Sequence, residues 1–147
     1  MAGETESGAS LLARREYARA VPLLKKEHEK YPSNPRIRLQ YADARRAFEE
    51  VFEADTAGDL ADNALFWIGE TYFAAGDFSN AMRFYARVVN DYSDQNKAPD
   101  SLFKTAMAQA RTGDLALARK TLQQVIDRYP FSSPASAAKA ELQRIRY

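Results

Sequence analysis

The chain has 147 residues, 46% hydrophobic and 28% charged, with 21 basic and 20 acidic side chains and a net charge of +1. That is the size of one domain with a core, and the balanced charge offers no global field to gather nucleic acid or an anionic membrane. It contains no cysteine and one histidine, His28, which excludes disulfides, thiol catalysis, Fe–S clusters, multi-histidine metal sites and most structural zinc.

In chain order, Met1–Ser10 is polar and acidic, unlike a signal peptide. Residues 4–32 read as a helical hairpin whose second helix carries Glu16 to Tyr31-Pro32. Pro22 lies inside that helix and removes one backbone hydrogen bond. Lys25 to Lys30 is a charged stretch, and His28 within it reads as an exposed titratable group. Pro35 to about Ala54 reads as one continuous helix: Leu39, Ala42, Phe48, Val51 and Phe52 follow helical spacing, and no Gly-Asp turn interrupts them. Glu49, Glu50 and Glu53 form a solvated face, and the pairs Arg14-Arg15 and Arg45-Arg46 read as surface charges. Residues 62–93 and 97–130 each read as a hairpin broken at Gly76-Asp77 and Gly113-Asp114, where glycine supplies a left-handed residue and aspartate caps the next helix. Residues 133–147 close the chain as a capping helix, with Ser133-Pro134 at its start and Ala138, Leu142 and Ile145 as its apolar face.

The two Gly-Asp pairs lie 37 residues apart, and at that offset Leu65 falls on Leu102, Gly69 on Ala106, Ala81 on Ala118, Tyr85 on Leu122, Val88 on Val125 and Tyr92 on Tyr129. Shifted back by the same amount, Ala44, Phe48 and Val51 join the series. Small residues such as Gly69 and Ala81 let backbones approach, and bulky ones beside them fill the space. This pattern resembles the tetratricopeptide repeat (TPR): Leu65, Ile68-Gly69, Tyr72, Ala81, Tyr85, Val88 and Ser93 in one unit. In the next it is Leu102, Thr105-Ala106, Gln109, Ala118, Leu122, Val125 and Pro130. Ser93, Thr105 and Gln109 depart from the family's proline, aliphatic and aromatic. The period exceeds the usual one by about three residues, which lengthens the loops between repeats. The expected fold is an all-α TPR solenoid forming a single domain over 1–147, with a fused long helix at 35–54. The alanines Ala20, Ala44, Ala81 and Ala118 are spaced 24, 37 and 37 apart, so thirteen residues are missing before the second. The fused helix leaves two arrangements open: a bridge within one monomer, or a homodimer that exchanges the N-terminal hairpin.

The runs Ala61 to Tyr72, Lys97 to Lys104 and Val125 to Pro130 are similar to the C-terminal domain of the periplasmic Tol–Pal cell division coordinator (CpoB/YbgF) family, over residues 44–147. The resemblance implies a periplasmic, non-catalytic adaptor of the cell envelope. An intracellular or secretion-system scaffold is the alternative, with a cytoplasmic location, and an enzyme is the remote one. In stacked TPRs the first helix of each hairpin lines a groove. The positions left over from packing are Asn63, Phe66, Trp67, Glu70 and Phe73, then Asp100, Phe103, Lys104, Met107 and Arg111. Aromatics and arginine are the side chains that anchor interfaces, and such a groove suits a partner helix or extended peptide. The alternative for Phe66, Trp67 and Phe103 is packing between repeats. The carboxylate-clamp positions hold Phe66, Glu70, Phe103 and Met107, which argues against capture of chaperone tails. No phosphate loop, metal set, cofactor site or membrane span is expected. Charge is uneven: residues 97–147 carry 9 basic and 4 acidic side chains. That is either surface scatter or a basic patch for an acidic partner.

Overall fold

The computed structural model describes residues 17–30, 34–58 and 60–145. The first helix of the expected N-terminal hairpin, Arg14-Arg15, Tyr31-Pro32 and the side chains of Ala20 and His28 lie outside the described residues. The described residues form seven helices and no strand: α1 (Tyr17–Lys30), α2 (Pro35–Ala54), α3 (Ala61–Ala74), α4 (Phe78–Asp91), α5 (Ala98–Arg111), α6 (Leu115–Arg128) and α7 (Ser133–Arg144). The fold of the described residues is all-α, with the long α2 and the closing α7 that the sequence predicts. None of the described helices is long and apolar enough to cross a membrane. The chain divides into two compact units, Met1–Gly76 and Asp77–Tyr147.

In the N-terminal unit, α2 starts where Asn34 accepts a hydrogen bond from the Arg36 amide (3.0 Å) and Pro35 takes the first position. Both are standard start signals, because the cap satisfies an orphan donor and proline has none to lose. Twenty residues then run without a break. α1 packs on both α2 and α3, and α2 packs on α3. Leu24 of α1 and Tyr41 of α2 are buried against each other. Burial, and then the nearby carboxylates Glu29 and Glu27, push the Tyr41 hydroxyl far above its ordinary pKa. Arg45 is not a free surface charge. Its Nε donates to Thr71 Oγ1 (3.2 Å) and its guanidinium lies 3.6 Å from the centre of the Tyr72 ring, which fastens α2 to α3. Arg46 does point outward, paired with Asp43 at 2.8 Å.

In the C-terminal unit, α4 packs on α5, α5 on α6, α6 on α7, and α5 reaches on to α7. No packing joins α4 to α6, so the contact that skips a helix belongs to the first helix of a hairpin. α1 makes that same skipping contact with α3. It therefore stands to α2 and α3 as α5 stands to α6 and α7. The hairpin expected over residues 4–32 makes α1 its second helix. Packing instead gives it a first helix's neighbours, because α2 begins early enough to return along it.

The α5–α6 turn shows why Gly-Asp recurs. Gly113 has φ +92°, the Asp114 amide reaches back to the Gln109 carbonyl (3.0 Å) and the Gly113 amide to that of Ala110 (3.1 Å). That is a glycine-terminated helix end. Asp114 then accepts from the Leu117 amide (3.1 Å) to open α6. Gly76 (φ +80°) and Asp77, which accepts from the Asn80 amide (3.2 Å), repeat both devices. The unit's core holds Val89, Leu102, Ala106, Leu122, Val125, Ala138 and Ile145. Arg119 of α6 donates to the carbonyls of Leu142 (3.1 Å) and Ile145 and so satisfies the end of α7.

Candidate interaction surface

α3 and α5 carry the residues expected to face a partner, and they present them differently. On α3, Phe66 and Phe73 are buried, at 6% and 7% exposure, so they are packing residues rather than open groove positions. The reason is a run of rings: Phe66 meets Trp67 edge-on (5.4 Å between centroids), and Trp67 stacks on Phe48 of α2 (6.4 Å). Asn63, Trp67 and Glu70 are half-buried. Trp67, Glu70 and Phe73 come together with Pro22, Lys25 and Ala74 around a slot of about 160 Å³. The Lys25 ammonium sits 5.8 Å from the Phe73 ring centre, within cation–π reach. The slot has the volume of roughly one bulky apolar side chain.

On α5, Phe103 packs against the core, Lys104 and Met107 are half-buried and Arg111 is exposed. Met107 and Arg111 join Ala110, Leu115, Arg144 and Ile145 around a second cavity of about 370 Å³. Asn63, Phe66, Phe103 and Lys104 line neither cavity.

Asp100 lies elsewhere. It shares a polar cavity of about 490 Å³ with Asp94 and Asn96 of the loop after α4, Tyr129 of the loop after α6 and Ser133 at the start of α7. Burial raises the Asp100 carboxyl above the usual carboxylate range, against the pull of Lys97 and its own amide. The Tyr129 hydroxyl ties the two loops by donating to the Ser93 carbonyl (2.8 Å). Sequence reasoning does not mark this cavity as a site. Its only signal is the lengthened period, since the six residues between α4 and α5 make one wall. Among the described residues no group of three or more acidic or histidine side chains is placed to hold a metal ion.

Residues 63–94 and 100–132 match the tetratricopeptide repeat family. Two segments of the chain thus resemble tetratricopeptide repeats. The first joins α3 to α4 across Gly76-Asp77, and the second joins α5 to α6 across Gly113-Asp114. No curated protein matches the chain. Among solved structures, a crystal structure of MamA is similar at 15% identity, over 87% of this chain and 77% of that one, with a TM-score of 0.49.

Proposed function

We propose that this chain is a non-catalytic adaptor of the bacterial cell envelope that holds a partner helix or extended peptide on the first helices of its repeats. The slot between α1 and α3 carries this reading: Trp67 and Glu70, picked out as partner-facing by repeat position, converge on one concavity of side-chain size. The similarity of residues 44–147 to the Tol–Pal cell division coordinator family supports the periplasm as the place and envelope or division machinery as the partner. The same reading takes residues 1–147 as one repeat domain and as a monomer.

Affinity capture from a bacterial envelope extract tests the adaptor reading. Wild-type protein retains a discrete partner, and a Glu70→Arg, Met107→Glu double variant with an unchanged thermal melt loses it. If the folded variant keeps every wild-type partner, these helices are not the binding surface. Cell fractionation of the untagged protein tests the place. Recovery in the periplasm supports the envelope assignment, and recovery in the cytosol favours an intracellular scaffold. Light scattering at twice the chain mass would overturn the monomer.

A further inference from the structure

We infer that the seam between α4 and α5 is where the C-terminal unit opens, with α4 lifting from α5 while α5, α6 and α7 stay packed.

Within this unit α4 packs on α5 alone, whereas α5, α6 and α7 all meet one another. Everything that holds α4 in the unit therefore passes through one seam. The core shared with α6 and α7 takes Leu102 and Ala106 from α5, with Phe103 and Ala110 against it, and only Val89 from α4. At 3.6 residues per turn, Ser101, Thr105, Ala108 and Gln109 fall together on the adjoining face of α5. Ser101 and Ala108 are fully buried there, and α4 is the neighbour left to cover them. The first repeat gives the same placement. Ala64, Ile68 and Tyr72 stand 37 residues before Ser101, Thr105 and Gln109. The Tyr72 ring takes the Arg45 guanidinium of α2, the helix that precedes α3, at 3.6 Å.

The stripe that is apolar and aromatic on α3 is thus polar on α5, and its polar groups are not satisfied. Ser101 Oγ and Gln109 Oε1 are buried without a hydrogen-bond partner. The Thr105 hydroxyl donates back to the Ser101 carbonyl (2.8 Å) instead of reaching across to α4. Such back-bonding also weakens its own helix slightly. A buried orphan carries its full desolvation cost, and water restores its hydrogen bonds when the seam parts. Between α5 and α6 the corresponding side chains, Leu102, Ala106, Leu122 and Val125, are all apolar and gain nothing from water. Opening at α4–α5 therefore precedes unfolding of the rest of the unit.

Native-state hydrogen exchange of the full chain, followed by NMR in low urea, tests this. The amides of Tyr85, Val88 and Val89 in α4 are expected to exchange about tenfold faster than those of Leu122 and Val125 in α6, with a shallower dependence on urea. Ser101→Ala should slow the α4 amides by about fivefold, the factor for removing one buried orphan. Thr105→Ile, which brings in the residue that the first repeat has at Ile68, should slow them further. Leu142→Ala, in the packing on the far side of α5, should speed the α6 amides and leave those of α4 unchanged. One common rate and urea slope for α4 and α6 overturns the inference. An α4 that Leu142→Ala speeds as much as α6 also overturns it, since the opening is then global. An α4 that Ser101→Ala leaves unchanged or faster does the same, because the hydroxyl is then satisfied in solution. Ser101→Ala removes one atom and cannot overpack, so it decides the matter if Thr105→Ile fails to fold.

Discussion

α3 and α5 are the first helices of the two repeats, with fourteen residues each, yet α3 buries nine of them and α5 buries five. The extra burial on α3 comes from aromatic packing, with Phe66 and Trp67 reaching to Phe48, and from Arg45, which seats on Thr71 and Tyr72. At Tyr72's position the second repeat has Gln109, and at Ile68's it has Thr105, whose hydroxyl turns back to the Ser101 carbonyl (2.8 Å). The aromatic clamp thus exists in one repeat only. α3 keeps a small slot and α5 a wider cavity with arginines on its rim. One repeat position can therefore be spent on packing or left open to a partner without altering the backbone plan.

The strongest way to break the contrast is in the core beneath it. Leu65→Ala removes a fully buried side chain and should cost about 3 kcal/mol in a urea melt. Leu102→Ala, at the matching but slightly exposed position, should cost less. A reversed order would show that the tighter packing of α3 does not carry its stability. The clamp comes next. Arg45→Ala should cost about 1–2 kcal/mol, and Arg45→Lys should restore only part, because an ammonium lacks the flat stacking face. Full rescue by lysine would reduce the contact to simple charge.

Gly113→Ala should lower stability by about 1 kcal/mol. A Cβ there would meet no atom within 4 Å, so the cost is purely the left-handed backbone. A calorimetric melting temperature equal to wild type would contradict that. The smallest effect is a gain. Ser101 Oγ is buried with no hydrogen-bond partner, and the equivalent positions, Ala64 and Ala138, are buried alanines. Ser101→Ala should therefore raise stability by up to about 1 kcal/mol, seen as a higher midpoint in thermal circular dichroism.

Much of the fold was legible because its determinants are local. Gly76 and Gly113 are needed where φ is positive, and Asp77 and Asp114 cap the helices that follow. Ala81, Ala118, Tyr85 and Leu122 have no exposed surface, as their periodic placement predicts. Repeat position alone brought Trp67 and Glu70 to one slot, and Met107 and Arg111 to another. It failed for Phe66 and Phe73, because a helical stripe says which residues share a face and not how far neighbouring helices wrap around it.

By itself, the sequence determined the period, the hairpin turns, the long unbroken α2 and the chemistry the chain lacks. These follow from residue type, spacing and backbone conformation within a few residues. The tertiary structure alone decided that α1 takes a first helix's neighbours, that Arg45 seats on Tyr72 and that arginines gather above an apolar floor at Met107 and Ile145. Each of these joins residues tens of positions apart. Such meetings depend on how whole helices pack, and no local pattern in the sequence encodes which partner a side chain will find.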